Sequence, residues 1–441
     1  MNVSGIGSAQ RTTGNASESG SALFPASQLV PALLVLALFF IWGMSNSLTD
    51  ILVQQFKKSF ELSPLEAQLV QTATFFGYFC MAIPAALLMQ RRGYKAGMLT
   101  GLLLFAAGTL MFWPAAVIGR YTPFLVALFL VGCGSAVLET AANPFMAQSG
   151  SPENSERRLN IAQAFNPPGT ITGLLLGTFF IFSGVELSSA KVAAMKASGT
   201  YAGYLHTEMM RVVPVYVGIG LVVLLWAFFI FRTPFPVILS EHEETAERGS
   251  FRELARFSHL RWAVLAQFCY CGAQASSWSA FIPYMKQYTM VTERTAALFL
   301  TGNLIVLALG RVISTWLMRW FNPARMTGFY AVVNIALLAV AVAHPGMMGA
   351  VAILLTNFFM SIMFPTIFAL GVKGLGHNTK LGGSLIVMSI VGAALLPPML
   401  GYIAKLKGSF AMGYLVPLMA YAVVAVYGYN AKKKRAESAT Q

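Results

Sequence analysis

Long apolar runs, parted by short polar turns, recur twelve times along this chain. The pattern predicts helices near residues 30–53, 65–90, 96–118, 123–148, 159–182 and 212–231, and again near 262–285, 295–318, 326–343, 347–372, 382–404 and 412–429. At 1.5 Å per residue, about 20 apolar residues cross a roughly 30 Å hydrocarbon core, so each run is a candidate membrane span. Residues 149–158 read as a polar loop, and 184–210 as a longer loop carrying Lys191 and Lys196. Thr233-Pro-Phe-Pro236 stops span 6, and the mixed-charge stretch to residue 260 reads as a linker with a short amphipathic helix near 251–257. Residues 1–27 are rich in Ser, Gly, Thr and Ala and contain no apolar core before a cleavage site. They predict a disordered tail and not a signal peptide. The expected organisation is a tail over 1–27, a six-helix bundle over 28–232, a linker over 233–260, a second bundle over 261–430 and a basic tail over 431–441.

Composition agrees with that pattern. Charged residues make up 10% of the chain, against about 25% in soluble domains, and mean hydropathy is +0.66. The fold class is therefore all-α and polytopic in the membrane. A net charge of +14 could point to nucleic acid, but the basic residues sit in short turns, as loop charges of a membrane protein do. Nineteen of the 30 lysines and arginines fall on one side of the bundle, ten on the other, and Arg311 within span 8. The positive-inside rule makes the richer side cytoplasmic, with both termini there. The two halves also resemble each other: the turn Met89–Gly101 is similar to Met318–Gly328. Pro144 of span 4 pairs with Pro365 of span 10, and Pro167-Pro168 of span 5 with Pro397-Pro398 of span 11. Near-constant offsets fit parallel repeats with a substrate site between them near mid-membrane.

Polar residues inside the spans carry the chemistry. In span 4, Glu139 lies at bilayer depth with Asn143 one turn on. A charge there costs about 2.5–3.5 kcal/mol, so it must be paired, wetted or protonated. Two readings compete, an ion pair with Arg311 and a titrating acid; burial disfavours the charged form, and the second is preferred. Arg311 has the further option of docking on backbone carbonyls. In span 1, Trp42, Asn46 and Asp50 recur every four residues and form one stripe. Gln163 and Asn166 share a face of span 5, and Gln267, Tyr270, Gln274 and Trp278 form a stripe on span 7. Amides both donate and accept, and aromatic faces cover the apolar side of a sugar ring, so these stripes are expected to line a cavity for a sugar. Asn303 and Asn357 are weaker candidates from spans 8 and 10. Gly169, Gly173 and Gly177 predict close helix packing on span 5. The four cysteines lie in apolar runs and predict neither a disulfide nor a metal site. No nucleotide loop, catalytic set or cofactor motif is present, so the chain is expected to be no enzyme and to run on an ion gradient.

The segments Asn46-Ser-Leu-Thr-Asp50, Leu138-Glu-Thr-Ala-Ala-Asn-Pro-Phe145, Ala162-Gln-Ala-Phe-Asn166, Arg261–Tyr270 with Gly272-Ala-Gln274, and Phe364-Pro-Thr-Ile-Phe368 resemble the L-fucose–proton symporter branch of the major facilitator superfamily. The resemblance covers nearly the whole chain beyond the tail. It implies a twelve-helix fold in two halves, proton-coupled import of a neutral monosaccharide across a bacterial inner membrane, and a monomer. It places proton coupling on Asp50 and Glu139 and substrate contact on Gln163 and Asn166. The branch has two further asparagines where this chain has Ser47 and Thr49, and a Gln-Tyr pair where it has Met363 and Phe364. Phe364 therefore becomes a candidate sugar contact of altered chemistry. An efflux antiporter for amphipathic compounds and a non-transporting sugar sensor are the alternatives; the amide stripes and the small soluble parts argue against them.

Overall fold

The computed structural model describes residues 28–62, 66, 69–183, 187–235, 250–291 and 293–438; the tail 1–27 and most of the linker lie outside the described residues. Twelve helical spans occur among the described residues, with no strand. Span 1 is Leu29–Ser59; spans 2 and 3 form the run Leu69–Leu110; span 4 is Tyr121–Gln148. Span 5 is broken into Ser155–Gln163 and Asn166–Leu176, and span 6 is Val212–Arg232. In the second half, span 7 is Ser258–Ser279 continued by Phe281–Thr289, span 8 is Glu293–Leu317 and span 9 is Pro323–Ala343. Span 10 is broken into Met347–Met360 and Met363–Val372; span 11 runs as Thr379–Met388 and Gly392–Lys407; span 12 is Leu415–Ser438. Lipid offers no hydrogen bonds, so helices that satisfy their own backbone are the available spanning form. The reversal between spans 2 and 3 falls at Gly93, whose φ of 77° suits a residue without Cβ.

Within the first half, backbones touch. A Cβ at Gly169 would fall on the Phe40 carbonyl, one at Gly43 on the Asn166 carbonyl, and one at Gly173 on the Met44 carbonyl. The glycine face of span 5 thus packs on span 1, as its spacing predicts. Spans 2 and 4 make the same kind of joint, where a Cβ at Gly132 would meet the Thr74 carbonyl.

Two expected loops are helical. Residues 184–210 contain the helices Ser189–Ala197 and Tyr201–Met210. Ser188 caps the first of these by accepting from the Lys191 backbone N–H at 3.4 Å. The second is docked by Glu208, which pairs with Lys58 of span 1 at 3.1 Å and whose carbonyl accepts from Gln55 Nε2 at 2.7 Å. The loop 149–158 ends early, because span 5 begins at Ser155. Arg158 lies buried in it, donating to the carbonyls of Met146, Ala147 and Ser151 at 3.2, 2.7 and 2.7 Å. Met146 and Ala147 lie in the last turn of span 4, whose carbonyls have no partner within the helix, and Ser151 lies in the turn that follows.

The halves meet at one end, here the basic end, which carries the turns at 91–95, 150–158, 319–325 and 373–380. Lys373 pairs with Glu156 at 2.8 Å across the halves, and Asn160 Nδ2 donates to Thr366 Oγ1 at 3.2 Å. Lys380 Nζ sits 5.3 Å from the centre of the Tyr94 ring, and Gly383 lies against the Pro144 ring. Contacts between the halves join spans 2–3 to 11, 4 to 10 and 11, and 5 to 8 and 10. Towards the far end, span 1 turns Asn46, Asp50 and Gln54 outward as an exposed strip.

Candidate functional site

Glu139 is buried where spans 1, 2 and 4 face span 7. A recess beside it is lined by Leu38, Phe39, Trp42, Leu138 and Ala142. Asn143 and Tyr78 are its polar neighbours, Cys271 of the second half lies near it, and neither carboxyl oxygen holds a well-formed hydrogen bond. Gln163 Nε2 donates to Asn143 Oδ1 at 3.2 Å, so spans 4 and 5 join Glu139, Asn143 and Gln163 in one polar line. Asn166 is half-buried and donates to the Phe39 carbonyl at 3.4 Å, which ties the line back to span 1.

The second acid is placed differently. Asp50 is exposed on the far-end strip and accepts from Gln71 Nε2 of span 2 at 2.5 Å. Trp42, Asn46 and Asp50 do share a face, with Trp42 half-buried and the other two exposed. The candidate site is therefore elongated, with one acid sealed and one open.

From the second half come Gln267 and Tyr270, both wholly buried. Gln267 Nε2 reaches only Cys271 Sγ at 3.8 Å, and Gln267 Oε1 and the Tyr270 hydroxyl are unpartnered. Tyr270 meets Phe364 edge to face, centroids 6.4 Å apart. Trp278 Nε1 donates to Asn357 Oδ1 at 2.8 Å, so this pair is a locked unit between spans 7 and 10. Gln274 is half-buried. Asn303 is buried with its amide unpartnered.

The ion pair Glu139–Arg311 does not form. Arg311 is buried, and its guanidinium donates to the Ser361 carbonyl at 2.8 Å and to the Gln163 carbonyl at 2.6 Å. Carbonyls, not a carboxylate, hold the cation. Buried polar atoms in proteins are nearly always hydrogen-bonded, so Glu139, Gln267, Tyr270 and the Asn143 amide N form an unusual orphaned set. They converge from both halves and could be satisfied by a small ligand rich in donors and acceptors.

Two contributors are not in the sequence reading. Gln71 and Tyr78 bring span 2 to both acids. Gln71, Thr74 and Tyr78 recur at spacings of three and four, the same stripe signal that singles out spans 1 and 7.

The family model for the Major Facilitator Superfamily matches residues 32–397. The L-fucose-proton symporter of Escherichia coli (strain K12) is 41% identical over 406 residues, covering 91% of this chain and 93% of that protein. The glucose/galactose transporter of Brucella abortus biovar 1 (strain 9-941) is 32% identical over 401 residues, covering 90% of this chain and 92% of the relative. A crystal structure of FucP, a major facilitator superfamily transporter in the outward conformation, superposes with a TM-score of 0.85 at 40% identity, covering 92% of this chain and 99% of that one.

Proposed function

This chain belongs to the major facilitator superfamily, and from that premise we propose that it is a proton-coupled sugar symporter working by alternating access. It is an integral membrane protein. In this reading it sits in a bacterial inner membrane as a monomer, with the basic end and both termini in the cytoplasm. Closure at that end makes the conformation outward-facing. The observation that carries the reading is Glu139, a buried carboxyl without a well-formed hydrogen bond, beside orphaned amide and hydroxyl groups from both halves.

The mechanism follows from the cost of charge. A proton reaching Glu139 from the open side neutralises it. The neutral acid then donates to, and accepts from, sugar hydroxyls alongside Asn143, Gln163 and Gln267, while the Tyr270–Phe364 pair and Trp42 cover the apolar face of the ring. The loaded carrier rocks, the far end closes and the proton leaves to the cytoplasm. A sugar-loaded carrier whose Glu139 is ionised meets a penalty of about 2.5–3.5 kcal/mol when the last water leaves the site, so sugar does not cross without its proton, and that penalty links the two fluxes. A membrane potential adds about 2.3 kcal/mol per charge per 100 mV. Asp50, exposed and held by Gln71, takes the proton first in this scheme. No cofactor takes part; the proton gradient is the energy source.

The substrate class is a neutral monosaccharide, L-fucose or a related deoxy-sugar or hexose. The named relatives support that range, and the apolar recess of Leu38, Phe39 and Leu138 suits a methyl group or ring face. The test is uptake of labelled sugars by proteoliposomes under an imposed proton gradient. Glu139→Gln is expected to abolish accumulation while counterflow exchange persists. Accumulation that survives Glu139→Gln, Asp50→Asn and a protonophore sinks the proposal.

A further inference from the structure

The two carbonyls that hold Arg311 share a chemical history. In a helix, the carbonyl of residue i accepts from the N–H of residue i+4. For Gln163 that residue is Pro167, and for Ser361 it is Pro365. Proline has no N–H, so each carbonyl is orphaned by its own sequence. Both spans break there: span 5 stops at Gln163 and resumes at Asn166, and span 10 stops at Met360 and resumes at Met363. Each break leaves a short helix whose C-terminal end is partially negative. One guanidinium, from span 8, serves both ends at 2.8 and 2.6 Å. The Ser361 bond lies within the second half; the Gln163 bond crosses to the first.

We propose that Arg311 is a conformational bolt and a positioning residue. Its guanidinium docks on the proline-freed carbonyl of Gln163 only while the basic end is closed, and in doing so it fixes the Gln163–Asn166 break that presents both side chains to the site. The bond to Ser361 keeps the cation in the second half through the whole cycle. The Gln163 carbonyl is the latch that is made and released. A charged donor on a carbonyl is among the stronger hydrogen bonds, and here it sits in a dry, low-dielectric place. The pairing also explains how a fixed cation is tolerated at this depth without a carboxylate. The inference builds on the alternating-access reading, but it requires neither the sugar nor the proton assignment.

The experiment reads the distance between spin labels at Arg92→Cys and Arg325→Cys, one exposed turn in each half at the basic end, with the four native cysteines replaced and no sugar present. Arg311→Met is expected to raise the long-distance, basic-end-open population at least tenfold relative to the closed one. Arg311→Lys, a single compact ammonium that cannot fork to both carbonyls, is expected to give a smaller shift. Pro167→Ala restores an N–H to the Gln163 carbonyl and so competes with Arg311; it too is expected to move the population towards open. In the Arg311→Met background, Pro167→Ala should add nothing, because both changes act on one bond. Unchanged distances in a monodisperse Arg311→Met protein overturn the proposal, as does full additivity of the two substitutions. Should Arg311→Met not fold, Pro167→Ala alone decides: no shift refutes the bolt. Failure to transport any sugar, with the distances behaving as expected, would instead count against the symporter reading alone.

Discussion

Replacing Lys373 by Met tests the closed basic end at its one buried ion pair between the halves among the described residues. Lys373 Nζ lies 2.8 Å from Glu156 Oε1, with the two side chains 16% and 5% exposed. Removing the cation leaves Glu156 buried and uncompensated, which costs about 3–5 kcal/mol in a dry site. Lys373 still touches solvent, so the low end, about 3 kcal/mol, is the better figure. The penalty applies only while the halves are closed there; separation lets water reach Glu156. Each 1.4 kcal/mol is tenfold, so the closed-to-open ratio should fall by about a hundredfold. Apparent affinity for sugar offered from the far side falls with the fraction still facing it. The assay pairs sugar titration of purified protein with spin-label distances across the basic end. Glu156→Gln combined with Lys373→Met removes both charges and should restore most of the closed population, since neutral replacement of a buried pair is close to neutral in energy. If the single variant binds sugar and holds its distances like the parent, or if the double variant is as impaired as the single, the latch argument is wrong.

Other outcomes follow from the same geometry. Gly169→Ala places a methyl on the Phe40 carbonyl, and since backbone cannot swing aside, a loss of about 1–3 kcal/mol is expected, read as a lower melting temperature in detergent. Trp278→Phe leaves the Asn357 carbonyl oxygen buried without its 2.8 Å partner; a loss of about 1–3 kcal/mol in the same melt is expected, with Asn357→Leu in that background recovering part of it. Asn378 and then His377 hold the Glu253 carboxyl below its ordinary value of 4.5. A lowered folded-state value contributes stability above the unfolded value, and that contribution is lost as the pH falls below about 4.5 through the folded value. Exchange protection of the short helix Phe251–Leu254 should therefore drop on acidification in the parent, whereas in Glu253→Gln it is weaker throughout and independent of pH.

The spans were legible because twenty apolar residues in a row leave few alternatives, and the stripes on spans 1, 4, 5 and 7 followed from helical spacing alone. The helices within 184–210 are hard to read because at 9 and 10 residues they are too short and too polar to stand out as spans, although Ala, Lys and Met favour helix; the remote pair Lys58–Glu208 and the Ser188 cap fix them in place. Span 2 is hard to read for a related reason. Gln71 and Tyr78 look incidental on an apolar helix until Asp50 and Glu139 are seen beside them. The role of Arg311 could not be read from its own neighbours in sequence. Gln163 lies 148 residues away, and only the fold brings its proline-freed carbonyl to the guanidinium.

The two kinds of joint in the molecule explain why it can rock without coming apart. Within the first half, span 5 meets span 1 and span 4 meets span 2 through glycines against backbone carbonyls, contacts that no side-chain rotation can loosen. Between lipid-embedded helices there is little hydrophobic drive to associate, so such close packing is what makes a half rigid. Between the halves Gly383 packs on the Pro144 ring, a side chain and not a backbone carbonyl, and the bonds are polar: the ion pair Glu156–Lys373, the hydrogen bond Asn160–Thr366 and the guanidinium on the Gln163 carbonyl. Each of the three is a polar bond that water can replace when the end opens, at a net difference of a few kcal/mol or less. A transporter needs bodies that keep their shape and a seam that opens at thermal cost. Glycine within a half and exchangeable polar groups between halves supply both, and the prolines set where the seam finds its free carbonyl. On that division, substitutions at Gly43, Gly132 and Gly169 lower stability without shifting the distances across the basic end, and substitutions at Glu156, Asn160 and Arg311 shift those distances while the melting temperature changes less.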